Sequence, residues 1–400
     1  LNWSGEARPF ADNITLDIDS KTEQAEVPKV VRFTGQWGRG LDRESGIYTA
    51  DLKYQMTIFD TGRLEGRVAG TIDITGADYA SAELFELTME KARLDVDVDY
   101  TLSESNEFTL KGKIATELGQ HSTATRKTRY TVDASRIDMN ELDIAYAKDK
   151  MLSIALQPDI NLENVTYSGP IELSIDKVLD LLVLLQSVSN PDAVSTKDTG
   201  LSDFADESVA IPSLAIKVGR LQSKGGAFSL QSAAGQLELN LKTNSDLARI
   251  QLSPGEEQKR DQKIEIQTLQ SGLENLSITS GEGRLTVDIA GSNSLTKLVG
   301  ASPMGEFKVD SLETRMGNLG LQVQPDAVSL KLADASKTTR GLSAIAFPRE
   351  GVPELRLTLG SMSSRLDQAE LDTSGNKLQW RGVGDATMES LTADYAKGKD

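Results

Sequence analysis

Apolar and polar residues alternate along most of the chain. From Tyr48 the even positions are Tyr48, Ala50, Leu52, Tyr54, Met56 and Ile58, while the odd ones are Thr49, Asp51, Lys53, Gln55 and Thr57. After Asp60-Thr61-Gly62 the alternation resumes through Leu64, Gly66, Val68, Gly70, Ile72 and Ile74. It returns at Leu94–Leu102 and at Phe108–Ile114. A period of two over such lengths predicts strands with one dry and one wet face. Strands of a parallel sheet, covered on both sides, would read as unbroken apolar runs, so the pattern predicts antiparallel meanders. Leu214–Val218, Leu237–Leu241, Ile264–Leu269, Leu285–Ile289, Val328–Leu332 and Leu355–Leu359 repeat the theme between Gly, Asn, Asp and Ser clusters suited to turns. The predicted fold is all-β with a few helices: a long antiparallel meander forming a curved sheet or groove, or alternatively β-sandwich domains.

Three segments depart from this pattern. Ser174–Val188 (SIDKVLDLLVLLQSV) predicts a helix, with Ser174 as its N-cap and Asp176 in the first turn. Its centre is apolar almost all round, which suits a helix closing one side of a sheet or lying along an apolar channel. Asn293–Gly300 (NSLTKLVG) predicts a shorter helix, and Ala80–Lys91 another. Residues 190–208, rich in Asp, Ser, Thr and Gly, predict a polar linker between an N-terminal β domain (1–189) and a C-terminal one (209–400). The polar run Ser253–Lys263 reads as an exposed loop.

Composition narrows the function. Of 400 residues, 38% are hydrophobic and 5% aromatic, which is lean for one deep core and suits a thin body. A net charge of −17 argues against nucleic acid, whose phosphates need clustered Lys and Arg. Without cysteine there is no disulfide framework or thiolate site. The chain opens on Leu1, so an excised fragment or mature segment is expected, with any anchor outside it.

Candidate chemistry is sparse. His121 is the only histidine, in a polar, turn-like stretch that reads as a surface loop; no nucleophile or orienting group can be nominated for it. Asp95, Asp97 and Asp99 share one face of a strand. A straight strand spaces them ~6.5–7 Å apart, which fits a wetted face with Lys111 and Lys113 opposite better than a calcium loop. Gly281-Glu282-Gly283 precedes a strand and reads as a turn, not a phosphate cradle. No Gly-x-Ser-x-Gly elbow occurs. The expectation is a protein that is not an enzyme, without metal or cofactor.

GEGRLTVDIAG, NSLTKLVGAS and GEFKVDSLETRMGNLGLQV, spanning Gly281–Val323, resemble the strand–short helix–strand repeats of AsmA-like and TamB-like bacterial envelope proteins. GRLEGRVAGTIDITG followed by Ala80–Leu102 is similar, more loosely. The resemblance implies a long β groove with an apolar inner face, behind an inner-membrane anchor in the periplasm. It also implies a role in accommodating or transferring phospholipid or another lipid, or in maintaining the outer membrane, with other envelope proteins as possible partners. It carries no catalytic residues. On this reading Leu52, Tyr54, Met56, Val68, Ile72 and Ile74, with Leu181, Leu184 and Leu185 of the long helix, face lipid. The competing reading is a structural or adhesive β-sandwich of the cell surface, whose alternating residues fill a closed core.

Overall fold

The computed structural model of the chain describes residues 2–8, 13–26, 43–81, 85–147, 151–173, 209–233, 236–254, 262–281, 283–324, 327–348, 353–374 and 377–396. Every regular element among them is a β-strand. The chain divides into two units, Leu1–Tyr167 with Gln222–Ala234, and Ser168–Leu221 with Gly235–Asp400. The predicted 174–188 helix, the 190–208 linker and the candidates Leu181, Leu184 and Leu185 lie outside the described residues.

The first nine strands are β1 (Asn2–Arg8), β2 (Ile14–Glu26), β3 (Arg43–Ile58), β4 (Leu64–Ser81), β5 (Phe85–Leu102), β6 (Phe108–Leu118), β7 (His121–Ala124), β8 (Arg129–Val132) and β9 (Ala134–Ala147). They are followed by β10 (Met151–Leu173), β11 (Val209–Ser223) and β12 (Ala227–Ala233). In the first unit, antiparallel pairing runs β1–β2–β3–β4–β5–β6–β9–β10–β12. The short β7 extends β5 beyond the end of β6, and β8 pairs with β7. The second unit carries β13 (Gln236–Pro254), β14 (Lys263–Gly281), β15 (Arg284–Ser302), β16 (Gly305–Gln324), β17 (Ala327–Ala346), β18 (Glu354–Ser374) and β19 (Lys377–Ala396), each antiparallel to the next. The expected turns hold. Gly62, at φ +87°, closes the β3–β4 hairpin by donating its N–H to Phe59 O at 3.0 Å, and Gly281 at the end of β14 pairs with Arg284 at the start of β15.

Two lines of irregularity cross the second unit at right angles to its strands. At the first line, register shifts fall between Leu241 and Thr243 (β13), Leu273 and Asn275 (β14), Ile289 and Gly291 (β15), and Leu366 and Gln368 (β18), while Asp334 on β17 is left-handed at φ +53°. Along the second, one residue per strand drops out of the ladder. Arg249, Lys297, Gly341 and Ser390, on alternate strands, have φ between +50° and +62°. Extra or left-handed residues bend a strand and raise its twist.

The second line resets the alternation, so the residues of this face that flank it stand three apart: Leu247 and Ile250, Leu295 and Leu298, Thr339 and Leu342, Met388 and Leu391. This overturns the short helix at Asn293–Gly300. Leu295, Leu298 and Val299 have helical spacing, but Leu295 pairs with Leu269 and Leu312, and Leu298 with Ile266 and Val309. The left-handed Lys297 between them produces the spacing within a strand. The Ala80–Lys91 helix is overturned likewise: Ala80 and Ser81 end β4, Phe85–Lys91 open β5, and Ala80 pairs with Glu86. Hydrogen exchange read by mass spectrometry is expected to protect Asn293–Gly300 as strongly as Leu285–Ile289; rapid exchange of the first stretch alone would refute the ladder there.

Aromatic rings cover glycines on the apolar side. Tyr100 lies across its cross-strand partner Gly66, and Phe307 across Gly300, each ring filling the space a side chain would take.

Candidate functional site

The registers assemble apolar rows that cross the strands. In the first unit one row runs Ile18–Tyr54–Val68–Val98–Gly112–Leu142–Leu156–Phe228, from β2 to β12. Beside it runs Leu16–Met56–Gly66–Tyr100–Leu110–Ile144–Ile154–Leu230. Directly paired residues point to the same side of a sheet, as do i and i+2 along a strand. Leu52, Tyr54, Met56, Val68, Ile72 and Ile74 therefore share one face, with Leu52 opposite Gly70, Ala50 opposite Ile72, and Tyr48 opposite Ile74.

This face is incompletely covered. Leu52 and Val98 are each 8% exposed, whereas Tyr54 is 36% exposed and Met56, Val68, Ile72 and Ile74 are half-buried. One corner is closed: Val132 has no exposure, Ala77 is 3% exposed, and the row Ala77–Met89–His121–Val132 joins them. His121 thus sits in a strand rather than a surface loop, its Nδ1 2.9 Å from Gly119 O and its ring facing Tyr130. Burial pushes the Tyr48, Tyr79 and Tyr130 hydroxyls above their ordinary value, and negative Glu44 adds to the rise at Tyr79.

The opposite face is charged. The registers set Asp97 against Lys113 and Asp99 against Lys111. The ion pairs form with other neighbours: Arg67 holds Asp97 at 2.8 Å, Arg93 holds Asp95 at 3.1 Å and Lys111 holds Asp143 at 2.8 Å. Asp143 raises the Lys111 pKa, and Asp95 that of Arg93, chiefly through a side-chain hydrogen bond. Exposed pairs of this kind are screened by water and add little to stability. No group of three or more His, Cys, Asp or Glu among the described residues could hold a metal ion. An open depression of about 440 Å³ lies among Asp288, Gly320, Lys331 and Glu370 on the polar face of the second unit.

The second unit repeats the apolar rows. Leu239–Ile278–Val287–Leu321–Leu330–Leu371–Trp380 crosses β13 to β19, as does Leu241–Leu276–Ile289–Leu319–Leu332–Ala369–Gly382. Beyond the second irregular line, Leu252–Ile264–Gly300–Phe307–Ala344–Leu357–Ala393 continues the same face. Much of it is open: Leu355 and Met362 are exposed, and Trp380 reaches 78%. The sequence reading put none of these residues on its lipid-facing surface. The signal was the three-residue spacing of Leu295 and Leu298, which also fits a helix.

No family model matches the chain, and neither a curated protein nor a solved structure matches it significantly.

Proposed function

We propose that this chain is a non-enzymatic β protein of a bacterial envelope that accommodates or transfers lipid on its apolar face, in the manner of AsmA-like and TamB-like proteins. One observation carries the reading: in each unit, rows of aliphatic and aromatic side chains cross the strands and are only partly covered, with half-buried and exposed members beside buried ones such as Val98 and Leu142. A filled sandwich would bury such rows at crystal-like density. Apolar patches this extended are ordinarily occupied, because each exposed Å² costs about 25 cal/mol against burial. Acyl chains fit the demand, being apolar, flexible and indifferent to side-chain detail. A strand–strand meander also remains of the likeness to the envelope repeats once the short helix is removed. On this reading the protein works in the periplasm, attached to the inner membrane by a segment outside this sequence, with phospholipid or another lipid as ligand.

The purified protein, extracted with organic solvent and analysed by mass spectrometry, is expected to release co-purified lipid above a mock purification. Lipid-free protein that also fails to take up lipid from vesicles would move the assignment to a structural or adhesive surface protein.

A further inference from the structure

The apolar face of the second unit is interrupted by one polar row. Between the two irregular lines the registers align Ser245, Ser271, Asn293, Thr314, Lys337 and Ser364, from β13 to β18. On one side lies Leu247–Leu269–Leu295–Leu312–Thr339–Met362–Met388; on the other, Leu273, Gly291, Met316 and Leu366. Residues two apart along a strand are separated by ~6.5–7 Å, so the polar row is flanked closely by hydrocarbon on both sides.

Two features distinguish this row from the polar residues of the opposite face. There, hydroxyls pair across strands, as in Thr268 with Thr296 at 2.5 Å and Ser363 with Thr387 at 2.6 Å. In the polar row, none of the six side chains has a hydrogen-bond or ion-pair partner among the described residues. The second feature is charge. Away from the two irregular lines, Lys337 is the only charged side chain at the register positions of this face on β13–β19, and no acid shares it. It is a single positive charge with no acid on its face, in a protein of net charge −17. Lys337 is exposed and stands between Thr314 and Ser364, with Leu312, Met316, Met362 and Leu366 as its diagonal neighbours.

Resting on the lipid reading above, we infer that this row selects an anionic amphiphile, a phospholipid with net negative headgroup charge. Lys337 meets the headgroup anion, the hydroxyl and amide donors meet its ester and phosphate oxygens, and the acyl chains lie on the flanking leucine and methionine rows. An ammonium can hold a phosphate as a point charge without bidentate geometry, so one lysine suffices to set the preference. A purely hydrocarbon ligand would leave six polar groups unsatisfied.

The test compares monomeric pyrene-labelled phosphatidylglycerol with pyrene-labelled phosphatidylcholine, titrated into the whole protein at low salt. A fluorescent fatty acid serves as a third arm that separates a free carboxylate from a phospholipid headgroup. The parent is expected to bind phosphatidylglycerol about tenfold more tightly than phosphatidylcholine, the scale of one charge-assisted contact. Lys337→Gln is expected to abolish that preference while leaving the melting temperature unchanged, and Lys337→Glu to reverse it. Lys331→Gln, on the opposite face beside Glu370 at 3.5 Å, is expected to keep it. Equal binding of both phospholipids by the parent, or a preference that survives Lys337→Gln, overturns the selective row and leaves the lipid reading standing. So does tighter binding of the fatty acid than of phosphatidylglycerol. If the parent binds none of the three, the lipid reading itself fails and the inference falls with it.

Discussion

Val132→Asp is expected to lower the stability of the first unit by ~3–5 kcal/mol or to prevent it from folding. Val132 has no exposure, so the new carboxylate would be cut off from water. Val68→Asp and Ile72→Asp form the informative contrast. Both positions are half-buried on the open apolar face, where water can reach a carboxylate, so the expected loss is only ~1 kcal/mol while co-purified lipid falls. Denaturant melts of the three variants beside the parent, with lipid quantified in each, separate the two environments. If Val68→Asp and Ile72→Asp collapse the fold as Val132→Asp does, and the parent carries no lipid, the apolar face is a filled core and the adhesive reading gains.

The antiparallel meander was legible because alternation is a property of single strands. Tyr48–Ile58 and Leu64–Ile74 show it without help from any neighbour, and their register follows from keeping one face dry. The helix errors have a common origin: pattern reading assumes that each segment keeps one period. β15 keeps period two to Leu295, resets at Lys297, and resumes at Leu298, so a short window over the reset shows three- and four-residue spacing. Nothing local marks Lys297 as left-handed, since lysine has no intrinsic preference for that conformation. The reset becomes visible only when neighbouring strands are aligned and Arg249, Gly341 and Ser390 fall beside it on the same line.

The candidate face was legible in part for the same reason. Leu52, Tyr54, Met56, Val68, Ile72 and Ile74 could be grouped from two adjacent strands joined by a tight turn. Extending the row to Val98, Leu142, Leu156 and Phe228 requires pairings between residues far apart in sequence, and the bulge opposite Gly112 and Ile114 shifts the parity midway. Lys337 was illegible as a site residue because its role comes from what surrounds it. On its own strand it stands among Ser336, Thr338 and Thr339, and only the ladder reveals Leu312, Met316, Met362 and Leu366 around it.

Lys297→Gly is expected to leave the protein as stable as the parent or to raise its stability by up to ~1 kcal/mol. Glycine inside a regular strand ordinarily weakens it by a comparable amount through chain entropy. At φ +50°, however, a lysine carries the left-handed strain of about 1–2 kcal/mol that glycine does not, so the two effects offset or favour the variant. Gly341→Val on the same line reverses the sign. Gly341 has φ +62°, a β-branched residue tolerates that conformation poorly, and its Cβ would collide with the Asp310 carboxylate. The expected loss is ~2–4 kcal/mol, combining backbone strain with the displacement of Asp310 from its 2.9 Å contact with Lys308. Chemical denaturation of the two variants beside the parent reads both signs. A Lys297→Gly protein that loses stability like an ordinary mid-strand glycine, with Gly341→Val near neutral, would mean that the strands run straight through this line. The leucines on its two sides would then face opposite surfaces, and the apolar face of the second unit would end at this line.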